Sequence, residues 1–269
     1  ILRSEFVYYE REVRKLGQKY LQSVQRAIDV VKYIAENQED GVTLKDISKK
    51  FSKTPSTMFP ILNTLIYAKL IQVKNKRYRL SPEILRLSFC VSSNISAKSV
   101  AHKYLEKIAH ELEGNAHLGL LSEMSVIYVD RVVNSPRGYT YSNIIGMVAS
   151  GYRTGLGKAL IAFQGDNFIR EYLSREKFEK LTPYTITDPD ELLEEFKRVR
   201  RDGYALDRQE STEGVSCVAV PILSCYPYPC YSVSIALPHS RFLENFDSIV
   251  RTMTEVAEKI GEEMRRLEV

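Results

Sequence analysis

Between residues 20 and 80, apolar positions first recur at the 3.6-residue period of helices and then alternate as they do in strands. Three helical series are followed by two short alternating segments, 71–73 and 78–80, on either side of a basic turn. Thr43 and Asp46 have the spacing of a capping box, which predicts the start of the second helix. The apolar residues of the three helices are Val24, Ile28, Val31 and Ile34, then Leu44, Ile47 and Phe51, then Met58, Ile61, Leu62, Leu65 and Ile66.

Three short helices and a hairpin in this order are typical of a winged helix-turn-helix. We expect the third helix to enter the major groove of double-stranded DNA and the basic turn to contact phosphates. A winged helix that serves only for dimerisation is the alternative. The candidate DNA-binding residues are Lys53, Thr54, Ser56, Thr57, Met58, Phe59, Asn63, Lys74, Lys76 and Arg77.

The charge of the chain supports a polyanion-binding module. Residues 1–80 hold 16 Lys and Arg against eight Asp and Glu, a net charge of +8, whereas residues 81–269 carry −4. Between residues 45 and 80, nine basic residues accompany a single acid, Asp46. A basic first part joined to an acidic remainder is typical of a nucleic-acid-binding module attached to a second domain.

After residue 80 the pattern begins anew. Ser81, Pro82 and Glu83 have the order of an N-cap, a proline in the first turn and an acid, which predicts a helix that links two domains. Beyond it, predicted helices enclose an antiparallel sheet, so the second domain is α+β. Its predicted strands cover 126–133, 139–145, 217–223 and 231–237, and a terminal helix covers 242–260. The predicted organisation is a helical extension over 1–20, a DNA-binding domain over 21–80, a linker helix over 81–97 and a second domain over 98–269.

Composition excludes several classes of protein. With 269 residues, of which 44% are hydrophobic and 27% charged, the chain can bury two cores, and disorder is excluded. We expect a cytoplasmic protein without a membrane partner, because no apolar run approaches the ~18 residues of a transmembrane helix and residues 1–18 lack a signal-peptide core. The four histidines show no metal-binding spacing, and we expect neither a metal nor a cofactor.

Several motifs, in the same order along the chain, resemble the IclR-type transcriptional regulators. The resemblance covers nearly everything from about residue 20 to the end. It implies a repressor or activator that forms a homodimer or a dimer of dimers, and a GAF-like C-terminal domain that binds a small metabolite. We expect a near-palindromic operator, since a two-fold protein reads two half-sites. The motifs include Gly41-Val42-Thr43-Leu44, Ser56-Thr57, Leu156-Gly157-Lys158-Ala159-Leu160, Leu181-Thr182-Pro183-Tyr184, Asp202-Gly203-Tyr204-Ala205-Leu206-Asp207 and Gly214-Val215-Ser216-Cys217.

The resemblance also implies where the effector binds. Hydroxyls, a thiol and backbone N–H groups at a helix start are mainly donors, which favours a small organic acid, a carboxylate. Asp207 and Glu210 either accept hydrogen bonds from ligand hydroxyls or cap a turn, and Arg153 either pairs with a ligand carboxylate or lies on the surface. The candidate effector-binding residues are Arg153, Thr154, Gly155, Leu156, Asp207, Glu210, Cys217, Ser232 and Ser234.

One departure from the resembled family concerns DNA binding. The family usually has a basic residue before the Ser-Thr pair and an Arg three residues after it, whereas this chain has Pro55 and Pro60. Pro55 suits the first turn of a helix. Pro60 would remove an interior hydrogen bond, at a cost of ~3 kcal/mol, unless the helix began late with Thr57 as its cap. We therefore expect a late-starting or bent recognition helix.

Cysteine chemistry is the competing function. Cys225 and Cys230 flank a proline-rich hairpin, so these two thiols, or Cys217, would serve a thiol-based redox-sensing regulator. Cys217 with His117 would be a conceivable nucleophile and base, but no orienting acid is evident. We expect a DNA-binding regulator and not an enzyme.

Overall fold

The computed structural model describes residues 21–92, 96–134, 145–223 and 228–267. The chain divides into two compact units, Ile1–Ser93 and Asn94–Val269, here called the N-terminal and C-terminal units. The predicted linker extended to residue 97, but the first described helix of the C-terminal unit already begins at Ser96. Residues 1–20, with the predicted helical extension, and residues 135–144, with most of the strand predicted over 139–145, lie outside the described residues.

The N-terminal unit has the predicted winged helix-turn-helix order. Its three-stranded antiparallel sheet has the order β1-β3-β2. The helical stripes predicted from the sequence meet in one core, to which Ile34, Ile47, Met58, Leu62 and Tyr78 contribute. Its elements are α1 (Gln22–Glu36), β1 (Val42–Thr43), α2 (Leu44–Lys50), α3 (Pro55–Tyr67), β2 (Ile71–Lys74), β3 (Arg77–Leu80) and α4 (Glu83–Ser92).

Local interactions define the ends of α2. Thr43 and Asp46 form the predicted capping box: the Thr43 N–H donates to Asp46 Oδ2 (2.9 Å) and the Asp46 N–H donates to Thr43 Oγ1 (3.2 Å). These hydrogen bonds hold the pKa of Asp46 below its usual value. At the other end, Ser52 adopts a left-handed φ of 51°, and the Lys53 N–H donates to the Ser48 carbonyl at 3.0 Å. This Schellman-type ending turns the chain from α2 into α3.

The C-terminal unit is α+β, with a six-stranded antiparallel sheet in the order β6-β5-β4-β9-β8-β7. The pattern of apolar residues did not predict four elements of this unit, the strands Asn115–Ser122, Val148–Ser150 and Ala205–Arg208 and the helix Asp166–Arg175. The predicted terminal helix is two helices separated at Asn245. The elements are α5 (Ser96–Glu111), β4 (Asn115–Ser122), β5 (Ser125–Val133), β6 (Val148–Ser150), a 3₁₀ turn (Gly151–Arg153), α6 (Gly155–Ala162), α7 (Asp166–Arg175), α8 (Pro189–Asp202), β7 (Ala205–Arg208), β8 (Val215–Ile222), β9 (Tyr231–Pro238), α9 (His239–Glu244) and α10 (Phe246–Leu267).

The two faces of this sheet differ in chemistry. Along β8 and β9, alternate residues such as Val218, Val220 and Ile235 join the core formed with α5 and α10. The residues between them, such as Cys217 and Ser234, belong to the opposite face, on which α6 packs. Because strand side chains alternate between faces, one face is a packed apolar core and the other is partly polar. We call the second face the α6 face.

Candidate functional site

Exposed positions of α3 carry four of the ten predicted DNA-binding residues. Ser56, Phe59 and Asn63 are exposed, and Lys53 is exposed in the turn before the helix. Met58 is a correction to the predicted set, because its side chain is fully buried in the core of the N-terminal unit. It belongs to the stripe opposite the exposed face and has no access to a DNA groove.

The start of α3 excludes the late-starting helix, which is one of the two predicted alternatives, the other being a bent helix. Thr54 is the N-cap, and its hydroxyl accepts from the Thr57 N–H at 3.3 Å. The same oxygen lies 2.9 Å from the hydroxyls of Ser56 and Thr57, so the three hydroxyls form one cluster. The helix therefore begins at Pro55 and not late with Thr57 as its cap. Threonine at the N-cap and proline at the next position are both favoured, which is why the earlier start wins.

Pro60 consequently lies inside the helix. Having no N–H, it cannot donate to the Ser56 carbonyl, and its ring crowds that carbonyl. One turn later, the Thr64 hydroxyl donates to the Pro60 carbonyl at 2.8 Å. The free-energy cost of an interior proline therefore applies to α3, whereas a later helix start would have avoided it.

The tip of the β2–β3 hairpin presents the predicted basic residues in a tight turn. Asn75 and Lys76 both have left-handed φ angles, 52° and 59°, between the paired residues Lys74 and Arg77. Two such residues in succession are typical of a type I′ turn. Lys74 and Lys76 are exposed, but the Arg77 guanidinium donates through Nη1 to the Gly41 carbonyl at 2.9 Å. Arg77 therefore ties the hairpin to the loop after α1 as well as adding charge.

The predicted effector-binding residues converge only in part. Seven of the nine line a cavity of about 200 Å³ beside the start of α6, here called the C-terminal cavity. Other lining residues that sequence reasoning did not assign to this site include His117 and Tyr128. The strand register explains one of them, since His117 on β4 pairs directly with Ser234 on β9. The seven predicted residues are Arg153, Thr154, Gly155, Leu156, Asp207, Cys217 and Ser234.

Ser232 and Glu210 do not line this cavity. Ser232 is fully buried, and its hydroxyl donates to the Leu156 carbonyl at 3.1 Å. Glu210 accepts from Lys158 Nζ at 2.5 Å, where both side chains are buried. Ser232 does share a face with Ser234, as the alternation predicted, but α6 covers it. Both residues hold the walls of the cavity in place.

Asp207 caps a turn, which is one of its two predicted roles, and it also lies at the wall of the cavity. Its Oδ1 accepts from the Glu210 N–H at 2.7 Å and the Ser211 N–H at 3.3 Å, which caps the turn after β7. The side chain also lines the cavity. Burial raises the pKa of Asp207 to about 6, although the nearby Lys158 ammonium opposes the shift.

Gly155 allows the closest approach of α6 to the sheet. A Cβ at this position would lie 2.7 Å from Cys217 Sγ, too close for any other residue without movement. The Gly155 N–H instead hydrogen-bonds to that sulfur. The next amide, of Leu156, is among the first four of the helix, which have no intrahelical acceptor. The helix start therefore offers partial positive charge to the cavity.

Two family models cover most of the chain. Residues 23–74 match the IclR helix-turn-helix domain, and residues 90–262 match the C-terminal domain of the bacterial transcriptional regulator IclR. The chain belongs to the IclR family. It is therefore a transcriptional regulator with a DNA-binding helix-turn-helix and a C-terminal effector domain, and not an enzyme.

Individual relatives agree with this membership. The regulator KdgR of Dickeya chrysanthemi is 26% identical over 245 residues, which cover 90% of this chain and 79% of that protein. The crystal structure of Thermotoga maritima IclR is 27% identical, with a TM-score of 0.69, over 91% of this chain and 100% of that one. An IclR homologue from Microbacterium hydrocarbonoxydans, complexed with 4-hydroxybenzoate, shares the fold at 19% identity and a TM-score of 0.78, again over 91% and 100%.

The cavity thiol of this IclR-family chain is poorly suited to redox chemistry. Cys217 is a free, buried cysteine, and burial raises its pKa far above the usual value, so its thiol stays protonated. Burial lowers the pKa of His117 to about 4, so its imidazole is neutral near pH 7. Cys230 is half-buried, and Cys225, with which it was predicted to act, lies outside the described residues. The geometry thus favours a binding role for the cavity.

The described ranges offer neither a metal-binding cluster nor a membrane-spanning helix. No group of three or more His, Cys, Asp or Glu there has the arrangement to hold a metal ion. No helix there is both long enough and apolar enough to cross a membrane.

Proposed function

We propose that this IclR-family regulator binds a specific operator and that a small organic acid, bound in the C-terminal cavity, changes its operator affinity. One observation carries the proposal: hydrogen-bond donors from four elements converge on one small cavity. The donors are the Arg153 guanidinium, the N-terminal turn of α6, the Ser234 hydroxyl and the Tyr128 hydroxyl. An arrangement of this kind suits a carboxylate, which accepts several hydrogen bonds at once.

The Asp207 side chain, which lines the cavity, narrows the chemical class of the ligand. An ionised Asp207 repels a ligand carboxylate placed beside it but accepts a hydrogen bond from a ligand hydroxyl. We therefore favour a hydroxylated acid, aliphatic or aromatic, with its carboxylate toward α6 and a hydroxyl toward Asp207. The 4-hydroxybenzoate bound to the Microbacterium homologue is an acid of this type, and it supports the proposal by analogy.

The proposal includes a homodimer or a dimer of dimers on a near-palindromic operator. Leu21, Val24 and Ile28 expose a row of apolar side chains on α1 at helical spacing. A second copy of the N-terminal unit would bury this row. Two copies related by a two-fold axis would place two recognition helices in successive major grooves.

Calorimetry with 4-hydroxybenzoate, and with 4-hydroxybenzamide as its uncharged counterpart, tests the proposal. We expect the acid to bind with one molecule per chain and the amide to bind more weakly. Operator affinity should then change by a factor of about 5 to 150, the usual range of allosteric coupling. Ser234→Leu should block the acid and leave operator affinity intact, whereas Ser174→Leu, on the exposed surface of α7, should change neither.

Two results would contradict the proposal. One is a Ser234→Leu variant that responds to the acid as the wild type does. The other is a panel of small hydroxy acids, aliphatic and aromatic, none of which binds the wild type at millimolar concentration. A chain that binds no duplex at low salt would contradict its DNA-binding part.

A further inference from the structure

The recognition helix α3 contains no ionisable acid or base other than its last residue, Tyr67. Over Pro55–Tyr67 the sequence is PSTMFPILNTLIY, without Asp, Glu, Lys, Arg or His. The basic residues of the N-terminal unit lie on either side of it, such as Lys53 before the helix and Lys74 and Lys76 in the hairpin. Charge for the phosphates therefore comes from the flanks, and the helix itself must read bases by uncharged contacts.

The exposed face of α3 combines two polar and two aromatic side chains. Ser56, Phe59, Asn63 and Tyr67 follow helical spacing along the side opposite the buried stripe that includes Met58. Phe59 is 50% exposed and Tyr67 is 90% exposed. In a major groove, this phenyl ring can pack on an apolar group of a base, such as the C5-methyl of thymine.

The hydroxyls of α3 are already engaged within the helix. Those of Ser56 and Thr57 share hydrogen bonds with Thr54, and that of Thr64 donates to the Pro60 carbonyl. Thr64 is exposed, and with its hydroxyl engaged it presents its methyl group. Asn63 is the exposed amide on the face, with a donor and an acceptor in one plane.

These features select particular bases in a major groove. Guanine is read best by the charged fork of Arg or by Lys, and this helix has neither. Adenine presents N6 and N7 to an Asn amide, and thymine presents a C5-methyl group to an apolar side chain. The face of α3 is therefore complementary to adenine–thymine pairs.

We infer that α3 recognises its operator through thymine methyl groups and an adenine, with Phe59 packed on a C5-methyl and Asn63 paired with the adenine N6 and N7. The inference rests on the proposed function, because it requires that the N-terminal unit binds DNA. Beyond that function, it specifies the base pairs that the operator presents to this helix and the chemical group of thymine that the helix contacts. Specificity then comes from apolar packing on thymine and from the Asn63 amide on adenine, while affinity comes from the flanking lysines.

Base analogues test the inference directly. Duplexes selected by the full chain from a randomised pool would be resynthesised with deoxyuridine for thymidine, which removes only the C5-methyl. We expect the loss of each methyl that contacts Phe59 to weaken binding about fourfold, the factor expected for burying one carbon of that size. Phe59→Ala should bind the thymidine duplex more weakly and no longer distinguish it from the deoxyuridine duplex. Val73→Ala, at an exposed apolar residue of the hairpin, should keep the discrimination.

Each outcome separates the inference from the function on which it rests. Equal affinity of the wild type for the two duplexes, or selected sites with guanine opposite α3, would overturn the inference and leave DNA binding intact. No selection of any duplex would instead contradict the proposed function. If Phe59→Ala alters the sedimentation mass of the free protein but keeps the discrimination, the face is an interface between chains and the inference is wrong.

Discussion

Lys158 Nζ lies 2.5 Å from Glu210 Oε1, and both side chains are buried in the C-terminal unit. The pair joins α6, which begins at Gly155, to the turn that follows β7, the strand that carries Asp207. Glu195 of α8 lies 3.6 Å from the same ammonium. A buried ion pair so placed fixes the spacing between two walls of the cavity.

Removing the cation should be costly because it leaves a buried carboxylate without its partner. We expect Lys158→Met to lower the free energy of unfolding by about 3–5 kcal/mol. The double variant Lys158→Met with Glu210→Gln should recover most of this loss. Urea unfolding of the two variants, with Lys197→Met as an exposed control, measures the effect. A single variant as stable as the wild type would show that the pair does not matter.

The raised pKa of Asp207 predicts how stability depends on pH. Its ordinary value is 3.8 and its value in the folded chain is about 6, so between these values the folded state binds more protons than the unfolded state. The contribution of this group to the free energy of unfolding is therefore full below pH 3.8 and is lost as the pH rises through 6. Between pH 4 and pH 7, the free energy of unfolding of the wild type should fall by up to about 3 kcal/mol relative to that of Asp207→Asn. The same pH dependence in Asp207→Asn would contradict the assignment, and Asp166→Asn, at an exposed acid, is the control.

Pro60 should be replaceable with a gain in stability. Alanine restores the missing N–H donor to the Ser56 carbonyl and removes the crowding of the ring, at the expense of a more flexible unfolded chain. We expect Pro60→Ala to raise the free energy of unfolding of the N-terminal unit by roughly 1–2 kcal/mol. Pro55→Ala, in the first turn, should give no gain. Chemical denaturation followed by circular dichroism distinguishes the two, and a destabilised Pro60→Ala would contradict the reasoning.

Lys74 and Lys76 should contribute to DNA binding through charge alone. Replacing both by Ala should weaken binding to every duplex and lower the slope of log K against log salt by about 0.9 for each lost phosphate contact. Arg77→Ala should also loosen the hairpin, since it removes the hydrogen bond to the Gly41 carbonyl. Titrations at several salt concentrations check this. An unchanged slope in the double variant would place the hairpin away from the DNA.

The exposed row on α1 predicts self-association. Sedimentation at micromolar concentration should show a dimer or a tetramer. Val24→Glu with Ile28→Glu should weaken association through this row and lower operator affinity, because two half-sites would no longer be bound together. A monomeric wild type, or a double variant that associates and binds DNA normally, would count against this interface.

Most described elements of the N-terminal unit could be predicted from the sequence, because residues close together in the chain specify them. The capping box at Thr43, the stripe containing Leu62 and the alternation around Lys76 each involve residues a few positions apart. The prediction for Met58 is wrong because this residue adjoins Ser56 and Thr57 in the sequence, while its own helical position points into the core. Thr57 is not the N-cap for a related reason. Both Thr54 and Thr57 suit an N-cap, and the proline at position 55 decides between them.

The cavity could be predicted only in part because it is built by packing. Alternation on β9 shows that Ser232 and Ser234 share a face, but only the position of α6 shows that Ser232 is covered. Likewise, the sequence suggests Glu210 as an acceptor for the ligand, whereas the structure pairs it with the buried ammonium of Lys158. His117 enters the cavity through the pairing of β4 with β9, two strands more than a hundred positions apart. Such long-range relationships leave no local signature.

The two unlike faces of the six-stranded sheet have a consequence for how this regulator can diverge. Ser234 faces the cavity, while its neighbours Val233 and Ile235 face the core under α5 and α10. A change at Ser234, or two positions from it at Ala236, alters the cavity, whereas a change at Val233 or Ile235 alters the core that holds the domain together. Under the proposed function, ligand preference can therefore change by substitution of a few cavity side chains without repacking the interior.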